Sequence, residues 1–452
     1  MNLNLRSNAV WSALEVIISG LSMFVLYRYV AIELGVDKLG LWSLVLATTS
    51  LARFGDIGAA AGLGRFVAIA LSRNDKPLAL RYMDTALIVN AGLYCVFAVG
   101  LYVPLQYAIL TAVDVGAAKD AIELLPYALT SFVCLNLFSV TVSGLVGAQR
   151  ADYKSKVAII ANLMQLFFAV WLLSTHGLKG LAWAQIIQYA LAMVAGRLLV
   201  VKLIGSSIAD VVPRRFGVAA LKELFQFGVK LQLANIISFL FEPLSKYVIS
   251  LVGGLHILGL YEMSYRYILQ FRHVVVAPVQ NLVSAFAYLE NADGQTVKPL
   301  YEKATATVFV SAATILGGAV LFSPMASFLL LNRIDYYFVF CSAVFGLGWF
   351  CNVVCTPAYL LGVSRGSITW NIVGHGVASF IGPSLAWCFG QLGLQHGIVV
   401  MIMLGLSIGS IMSAMMNLRN ADLSLLPSRS GVYEIIDKSR IAVRNLIRSG
   451  VK

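Results

Sequence analysis

Six basic residues (Arg28, Arg53, Arg65, Lys246, Arg266 and Arg272) and four acidic ones (Glu15, Asp56, Glu242 and Glu262) stand inside otherwise apolar stretches of the chain. A charge near the centre of a bilayer costs about 3 kcal/mol unless it faces a partner or a wet cavity, so each needs a physical reason to be there. Arginine presents a planar fork that matches phosphate or carboxylate oxygens, which makes a surplus of such cations a candidate anion site. Arg53 and Arg272 lead that set, with Arg28, Lys246 and Arg266 as further candidates. Arg272 has no acid near it in sequence, whereas Glu242 precedes Lys246 and Glu262 precedes Arg266 by four residues. That order favours pairs on one helix face, which either neutralise themselves or serve the site. Arg53 has Glu15 and Asp56 as alternatives to a ligand. Pro243, directly after Glu242, is expected to break or kink its helix and to act as a gate or hinge.

Uncharged polar residues add to the set. Asn162, Gln165, Gln185, Gln188, Asn235, Asn352 and Asn371 suit a wetted lumen and suit interhelical hydrogen bonds equally well. The histidines at 176, 256, 273, 375 and 396 show no metal-ligand spacing; His273, beside Arg272, joins the candidate site and the others read as loop or packing residues. Six cysteines sit in apolar runs without a CxxC pair and read as small core residues. No Walker motif, HExxH, GxSxG or Gly-rich dinucleotide fingerprint occurs, so no catalytic residue, metal or cofactor is expected.

The elements that must hold these residues follow from composition. Of 452 residues, 59% are hydrophobic and 12% charged, and the mean hydropathy is +0.83. A soluble domain is nearer about one-quarter charged. Ala86 to Val113, Ala304 to Asn332, Tyr336 to Ser364 and Gly366 to Leu418 contain no Asp, Glu, Lys or Arg, and the last is long enough for two crossings of about 20 residues. The fold class is therefore an all-α polytopic membrane protein. A secreted disulfide scaffold, a disordered tail protein and a soluble nucleic-acid binder are excluded. Twelve spans are expected, near 8–32, 38–72, 79–105, 120–146, 154–175, 179–203, 222–251, 256–288, 299–326, 334–361, 367–390 and 394–418, with a bend in the second at Gly55, Gly58, Gly62 and Gly64. The first span reads as a retained helix, not a signal peptide. With both termini in the cytoplasm, 23 Lys and Arg fall in inner segments and only Lys38, Lys119, Lys179 and Arg333 outside. That asymmetry sets the orientation and accounts for the net charge of +12.

The halves repeat at an offset of 219 residues, which lays Ile17-Ile18-Ser19 on Ile236-Ile237-Ser238, Gly35 on Gly254, Leu39-Gly40-Leu41 on Leu258-Gly259-Leu260 and Arg53 on Arg272. Six crossings in each half make the repeats parallel, an arrangement that points to a transporter. The expected organisation is an N-terminal six-helix lobe (1–205), a cytoplasmic connector (206–221), a C-terminal six-helix lobe (222–418) and a basic amphipathic tail (419–452). In the tail, Arg440, Arg444, Arg448 and Lys452 step by four, a pattern suited to an anionic inner leaflet.

The segment Tyr29 to Gly58, with Leu34-Gly35, Gly40-Leu41-Trp42-Ser43-Leu44 and the FGDIG run, resembles the opening of bacterial polysaccharide (O-antigen) flippases of the multidrug/oligosaccharidyl-lipid/polysaccharide (MOP) exporter superfamily. Twelve spans, the six-plus-six repeat and the connector extend the resemblance to about residue 418. It implies two six-helix lobes in a V around a cationic cavity. It also implies a non-enzymatic, alternating-access transporter that moves an undecaprenyl-diphosphate-linked oligosaccharide to the outer leaflet of the inner membrane. The partners implied are that glycan, membrane lipids and glycan polymerase machinery, with no nucleic acid and a monomeric chain. Glu15, Asp56 and Glu242 are the candidate carboxylates for coupling to a proton or sodium gradient. The alternatives are a cation-coupled multidrug exporter of the same superfamily and, from another class, a membrane glycan polymerase or ligase. The polymerase or ligase would be expected to carry a longer outer loop than this chain has.

Overall fold

The computed structural model describes residues 5–51, 59–280, 282–290, 297–419, 421, 423–437 and 440, and every regular element among them is helical. The first seven helices are α1 (Leu5–Glu33), α2 (Val36–Ser50), α3 (Ala59–Ser72), α4 (Lys76–Ala112), α5 (Val115–Gly147), α6 (Ala151–His176) and α7 (Leu178–Ile204). A connector with one 3-10 turn (Ile208–Val211) leads to α8 (Val218–Phe239), α9 (Phe241–Val252) and α10 (Gly254–Val279). Then come α11 (Leu282–Glu290), α12 (Lys298–Leu321), α13 (Ser323–Leu331), α14 (Tyr336–Val354) and α15 (Thr356–Ser364). Last are α16 (Thr369–Gly376), a π turn (Val377–Ile381), α17 (Gly382–Gln391) and α18 (Gln395–Leu418).

Local chemistry explains where these helices start and break. Asp75 caps α4 by accepting from the Leu78 N–H at 2.9 Å, and Asp335 caps α14 by accepting from Tyr337 and Phe338 at 3.0 and 3.1 Å. The break expected at Pro243 falls at Leu240, because proline has no N–H to offer the carbonyl of Phe239. Pro324 and Pro357 cut α12 from α13 and α14 from α15 in the same way. At the first of these the Ser323 hydroxyl donates to the stranded Val320 carbonyl at 2.7 Å.

Nine helical segments among the described residues are long and apolar enough to cross a membrane, and they coincide with nine of the expected spans. The other three, 38–72, 222–251 and 256–288, carry every candidate charge except Glu15 and Arg28. Charges lower their apolarity, and each of the three holds two described helices. The glycine bend expected in 38–72 falls largely on 52–58, outside the described residues.

The chain forms two compact units, Met1–Gly259 and Leu260–Lys452. In the first, Leu63, Val67, Leu80, Met83, Val140, Val200 and Leu224 join α3, α4, α5, α7 and α8 in one buried cluster. Large apolar side chains such as Val99, Phe167 and Trp171 point outward, as they must on a surface solvated by lipid. In the second unit, Phe286, Tyr301, Leu361, Ala414 and Leu418 form a core against which Leu423 and Leu425 of the tail also rest. The tail therefore begins as part of this unit, with Gly431 beside the Ala306 side chain of α12. The remainder of the basic stripe, Arg444, Arg448 and Lys452, lies outside the described residues.

The repeat has a physical counterpart within the first unit, where α2 meets the start of α10. A side chain on Gly40 would run into the Leu255 carbonyl, and one on Gly259 would run into the Val36 carbonyl. Asp37 meets His256 at 2.7 Å, and these two are also 219 residues apart. Each contact recurs with its partners exchanged, the mark of a local two-fold axis. Gly35 and Gly254, which open the two helices, both take positive φ (89° and 78°), where glycine alone is free of strain.

Filling this crossing should separate the helices. Gly40→Ala is expected to cost about 1–3 kcal/mol, the usual range for overpacking. Gly92→Ala on α4, where an added Cβ meets nothing within 4 Å, serves as the control. Thermal melting of the detergent-purified chain reads the difference; equal melting of both variants would contradict the close approach.

Candidate functional site

Within the C-terminal unit, α10, α14, α15, α16 and α18 line a cavity of about 230 Å³. Arg272 is its charged wall. One Nη donates to Asn352 Oδ1 at 3.2 Å, and the guanidinium carbon lies 4.3 Å from the centre of the Trp349 ring. Its Nε is buried with no hydrogen-bond partner among the described residues. Among the described residues no carboxylate lies within ion-pairing distance of Arg272, although one would be the cheapest way to stabilise a cation there. The platform beneath it is stiff. Tyr261 and Tyr265 stack at 5.7 Å on α10, and Phe345 of α14 meets both edge-on at 5.0 and 5.5 Å. Helical spacing places Tyr261, Tyr265 and Arg272 along one side of α10 and Trp349 with Asn352 along one side of α14.

The remaining walls are polar but uncharged. Asn352 donates to Ser410 Oγ at 2.9 Å. Asn371 Oδ1 accepts from Ser413 Oγ and Asn417 Nδ2, each at 2.7 Å, and its amide donates to the Tyr359 carbonyl at 3.2 Å. His375 stands 3.5 Å from the Tyr359 hydroxyl. Among the described residues no Asp or Glu lines the cavity. A second cavity of about 330 Å³ in the first unit is larger, but its lysines are matched by acids in the pairs Lys38–Asp120 and Lys179–Glu123. Glu33 adds a third carboxylate, so this cavity offers no surplus of positive charge.

The other expected site residues are dispersed. Arg53 and Asp56 lie outside the described residues. Glu15 receives Lys154 Nζ on both oxygens at 2.8 Å, so its described partner is the lysine at the start of the expected span 154–175. Glu242 pairs with Lys246 at 2.7 Å and Glu262 with Arg266 at 2.9 Å, as their four-residue spacing allows. Arg28 is half-buried on α1. His273 is exposed and takes no part in the cavity, whereas His375, expected to be a packing residue, lines it. Helix 369–376 turns that histidine toward α15, which sequence spacing alone does not show. Asn162 donates to Ser19 at 2.6 Å and accepts from Gln188 at 2.5 Å, tying α1, α6 and α7 together. Asn352 and Asn371 instead line the cavity. Among the described residues no cluster of His, Cys, Asp and Glu converges as a metal site.

The strongest polar node was not foreseen. Asp84 on α4 and Arg197 on α7 form an ion pair with side chains 1% and 4% exposed. Arg197 also donates to the carbonyls of Asp210 and Val211 at 2.7 and 3.2 Å. The second Asp84 oxygen accepts the backbone N–H groups of Arg214 and Arg215 at 3.1 and 3.0 Å. The connector is thereby laid across the end of α4, and Thr85 accepts from the Gly217 N–H at 3.0 Å. Within the connector, the Arg215 guanidinium holds the Asp210 carboxyl below its usual range. Asp84 heads an apolar run and Arg197 borders the connector, so spacing gave no reason to join two residues 113 positions apart.

The profile of a family described as "Polysaccharide biosynthesis protein" matches residues 34–333, more than half of the chain, and the chain belongs to that family. The structure is similar to a multidrug resistance MATE family transporter of the MOP superfamily in an inward-facing conformation, with a TM-score of 0.75 at 14% identity over 89% of this chain and 94% of that one. It is also similar to the lipid II flippase MurJ in an inward closed conformation, with a TM-score of 0.69 at 12% identity over 98% and 92%. A MOP superfamily transporter from Pyrococcus furiosus matches with a TM-score of 0.53 at 14% identity over 91% and 92%. No curated protein sequence matches the chain. The expected all-α, multi-pass MOP fold is therefore present, and the proteins that share it are transporters and a flippase, not enzymes.

Breaking the Asp84–Arg197 node leaves a buried charge unpaired, a loss of about 3–5 kcal/mol. Asp84→Ala and Arg197→Ala should each lower the melting temperature and expose Arg214 and Arg215 to trypsin. An Asp84→Leu, Arg197→Met double variant should recover part of the melting temperature but not the protection of the connector, which its apolar side chains cannot hold.

Proposed function

We propose that the chain flips an undecaprenyl-diphosphate-linked oligosaccharide, a repeat unit of O-antigen, capsule or exopolysaccharide, from the inner to the outer leaflet of the bacterial inner membrane by alternating access. The observation that carries this reading is Arg272: a cation without a carboxylate partner among the described residues, held on Trp349 and Asn352 in a cavity free of acids. A membrane protein of a polysaccharide biosynthesis family has reason to keep such a group if its cargo brings the negative charge. A lipid diphosphate does so, and arginine meets its oxygens with two parallel donors. Arg53, at the 219-residue offset, is the proposed second cation, with Arg28, Lys246 and Arg266 as secondary contacts. An organic cation, the cargo of a drug exporter, would be repelled by the same cavity.

Glycan export in cells lacking the native protein tests the reading. Arg272→Ala should abolish export at normal membrane abundance, and Arg272→Lys should restore it only in part because the fork is lost. Wild-type export by an Arg53→Ala, Arg272→Ala double variant would eliminate the proposal.

The orientation proposed with it places both termini in the cytoplasm. In a cysteine-free background, a cysteine at Val115, the 87% exposed first residue of α5, should react with an impermeant maleimide added outside. One at Arg73, in the exposed turn between α3 and α4, should not. The opposite labelling pattern would reverse the direction of transport.

A further inference from the structure

We propose that the cavity of the C-terminal unit binds one phosphate-class anion together with one proton, the anion on Arg272 and the proton on His375. The inference rests on the cavity alone and holds whatever cargo the protein carries.

Four observations lead to it. First, among the described residues the cavity is lined by two basic side chains and no acid, so the uncompensated charge they give it is positive. Second, the Arg272 guanidinium is fixed from two sides, by Trp349 and Asn352, while its buried Nε has no hydrogen-bond partner among the described residues. A buried donor of that kind costs about 1–3 kcal/mol when nothing accepts from it, and an anion oxygen would remove the cost. Third, the volume of about 230 Å³ lies below the roughly 300–1,000 Å³ of pockets for larger ligands. It suits a single tetrahedral anion with a few waters, and the hydroxyls of Thr356, Ser410 and Ser413 line it as further donors. Fourth, the described carboxylates expected to couple transport to an ion gradient are already matched by cations: Glu15 by Lys154 and Glu242 by Lys246. His375 is the lining group of the type whose charge changes in the ordinary pH range.

The surroundings of His375 set the sign. Tyr359 faces it from α15, with ring centres 5.7 Å apart, and Arg272 faces the same cavity from α10. Cys355, between α14 and α15, is the other titratable lining residue, and the α18 wall presents Gly409, Ser410 and Ser413, none of which titrates. Without an anion, the positive charge of Arg272 opposes a proton on His375. With the anion bound, that opposition is cancelled, and the two ligands favour each other by the same factor in both directions. Anion affinity should therefore rise as pH falls through the histidine range and level off on either side.

Sulfate is the probe, since it stays a dianion throughout that range and contributes no proton of its own. Calorimetry on the full-length chain in detergent, between about pH 8 and about pH 5.5, should show tighter binding at low pH, by at most about tenfold per pH unit for one linked proton. Repeating it in buffers of different ionisation enthalpy should count close to one proton taken up per sulfate. His375→Gln should keep binding at the weak, high-pH level and lose both the pH dependence and the proton uptake. Arg272→Gln should lose binding at every pH. Asn352→Asp, nearly isosteric, should do the same by giving Arg272 an internal carboxylate, so the outcome does not hinge on whether Arg272→Gln folds. Sulfate binding by wild type without proton uptake, or proton uptake retained in His375→Gln, would overturn the proposal.

Competition identifies the anion's source. Displacement of sulfate by undecaprenyl diphosphate would assign the site to the carrier's headgroup. Failure to displace it, with proton uptake intact, would assign it to a free cellular anion. Loss of sulfate binding in Arg272→Ala with glycan export intact would refute the role given to Arg272 in flipping while leaving this site in place.

Discussion

Charge is expensive where water is absent, and the described ionisable side chains within the helix bundle answer to that cost in three ways. The cheapest answer is local. Glu242 and Glu262 each precede a cation by one helical turn, and each pairs with that cation on its own helix. A second answer spans helices: Glu15 on α1 takes Lys154 from α6, and Asp84 on α4 takes Arg197 from α7. The third is different in kind. Arg272 is held by an aromatic face and an amide, neither of which cancels its charge. Stabilisation by groups that leave the cation uncompensated is what an anion site requires, and it separates this arginine from the matched pairs around it.

The Asp84–Arg197 node shows how such a pair serves the fold. Its oxygens and nitrogens accept from and donate to the connector's backbone, so one buried pair satisfies groups on α4, α7 and the segment between α7 and α8. A long polar segment leaving a helix bundle would otherwise carry unsatisfied backbone groups or stay loose. Here it is fixed by a charge cluster whose geometry tolerates no simple replacement.

The 219-residue repeat has a comparable structural use. Gly40 and Gly259 bring α2 and the start of α10 to backbone contact, with Asp37 and His256 closing the same crossing. Without a hydrophobic force between helices in lipid, close backbone approach at small residues is a main source of cohesion. Repeated glycines at one offset thus report both ancestry and a packing requirement.

Composition and periodicity were enough to establish an all-helical membrane chain, most of its spans, the repeat offset and the helix break before Pro243, because each depends on residues near one another in sequence. The four-residue acid–base pairs were legible for the same reason. Nine of the twelve expected spans coincide with long apolar helices among the described residues, and the other three are the segments that carry most of the charges. Tertiary structure alone decided the rest. It gave Lys154 to Glu15, joined Asp84 to Arg197 across 113 residues, and divided the amides between helix glue at Asn162 and cavity wall at Asn352 and Asn371. It also exchanged His273 for His375 in the cavity. A neighbour in sequence says which helix a side chain rides on. Which partner it meets depends on how separate helices rotate and cross, and that rotation is set by the packing of whole apolar faces, not by the polar residue itself.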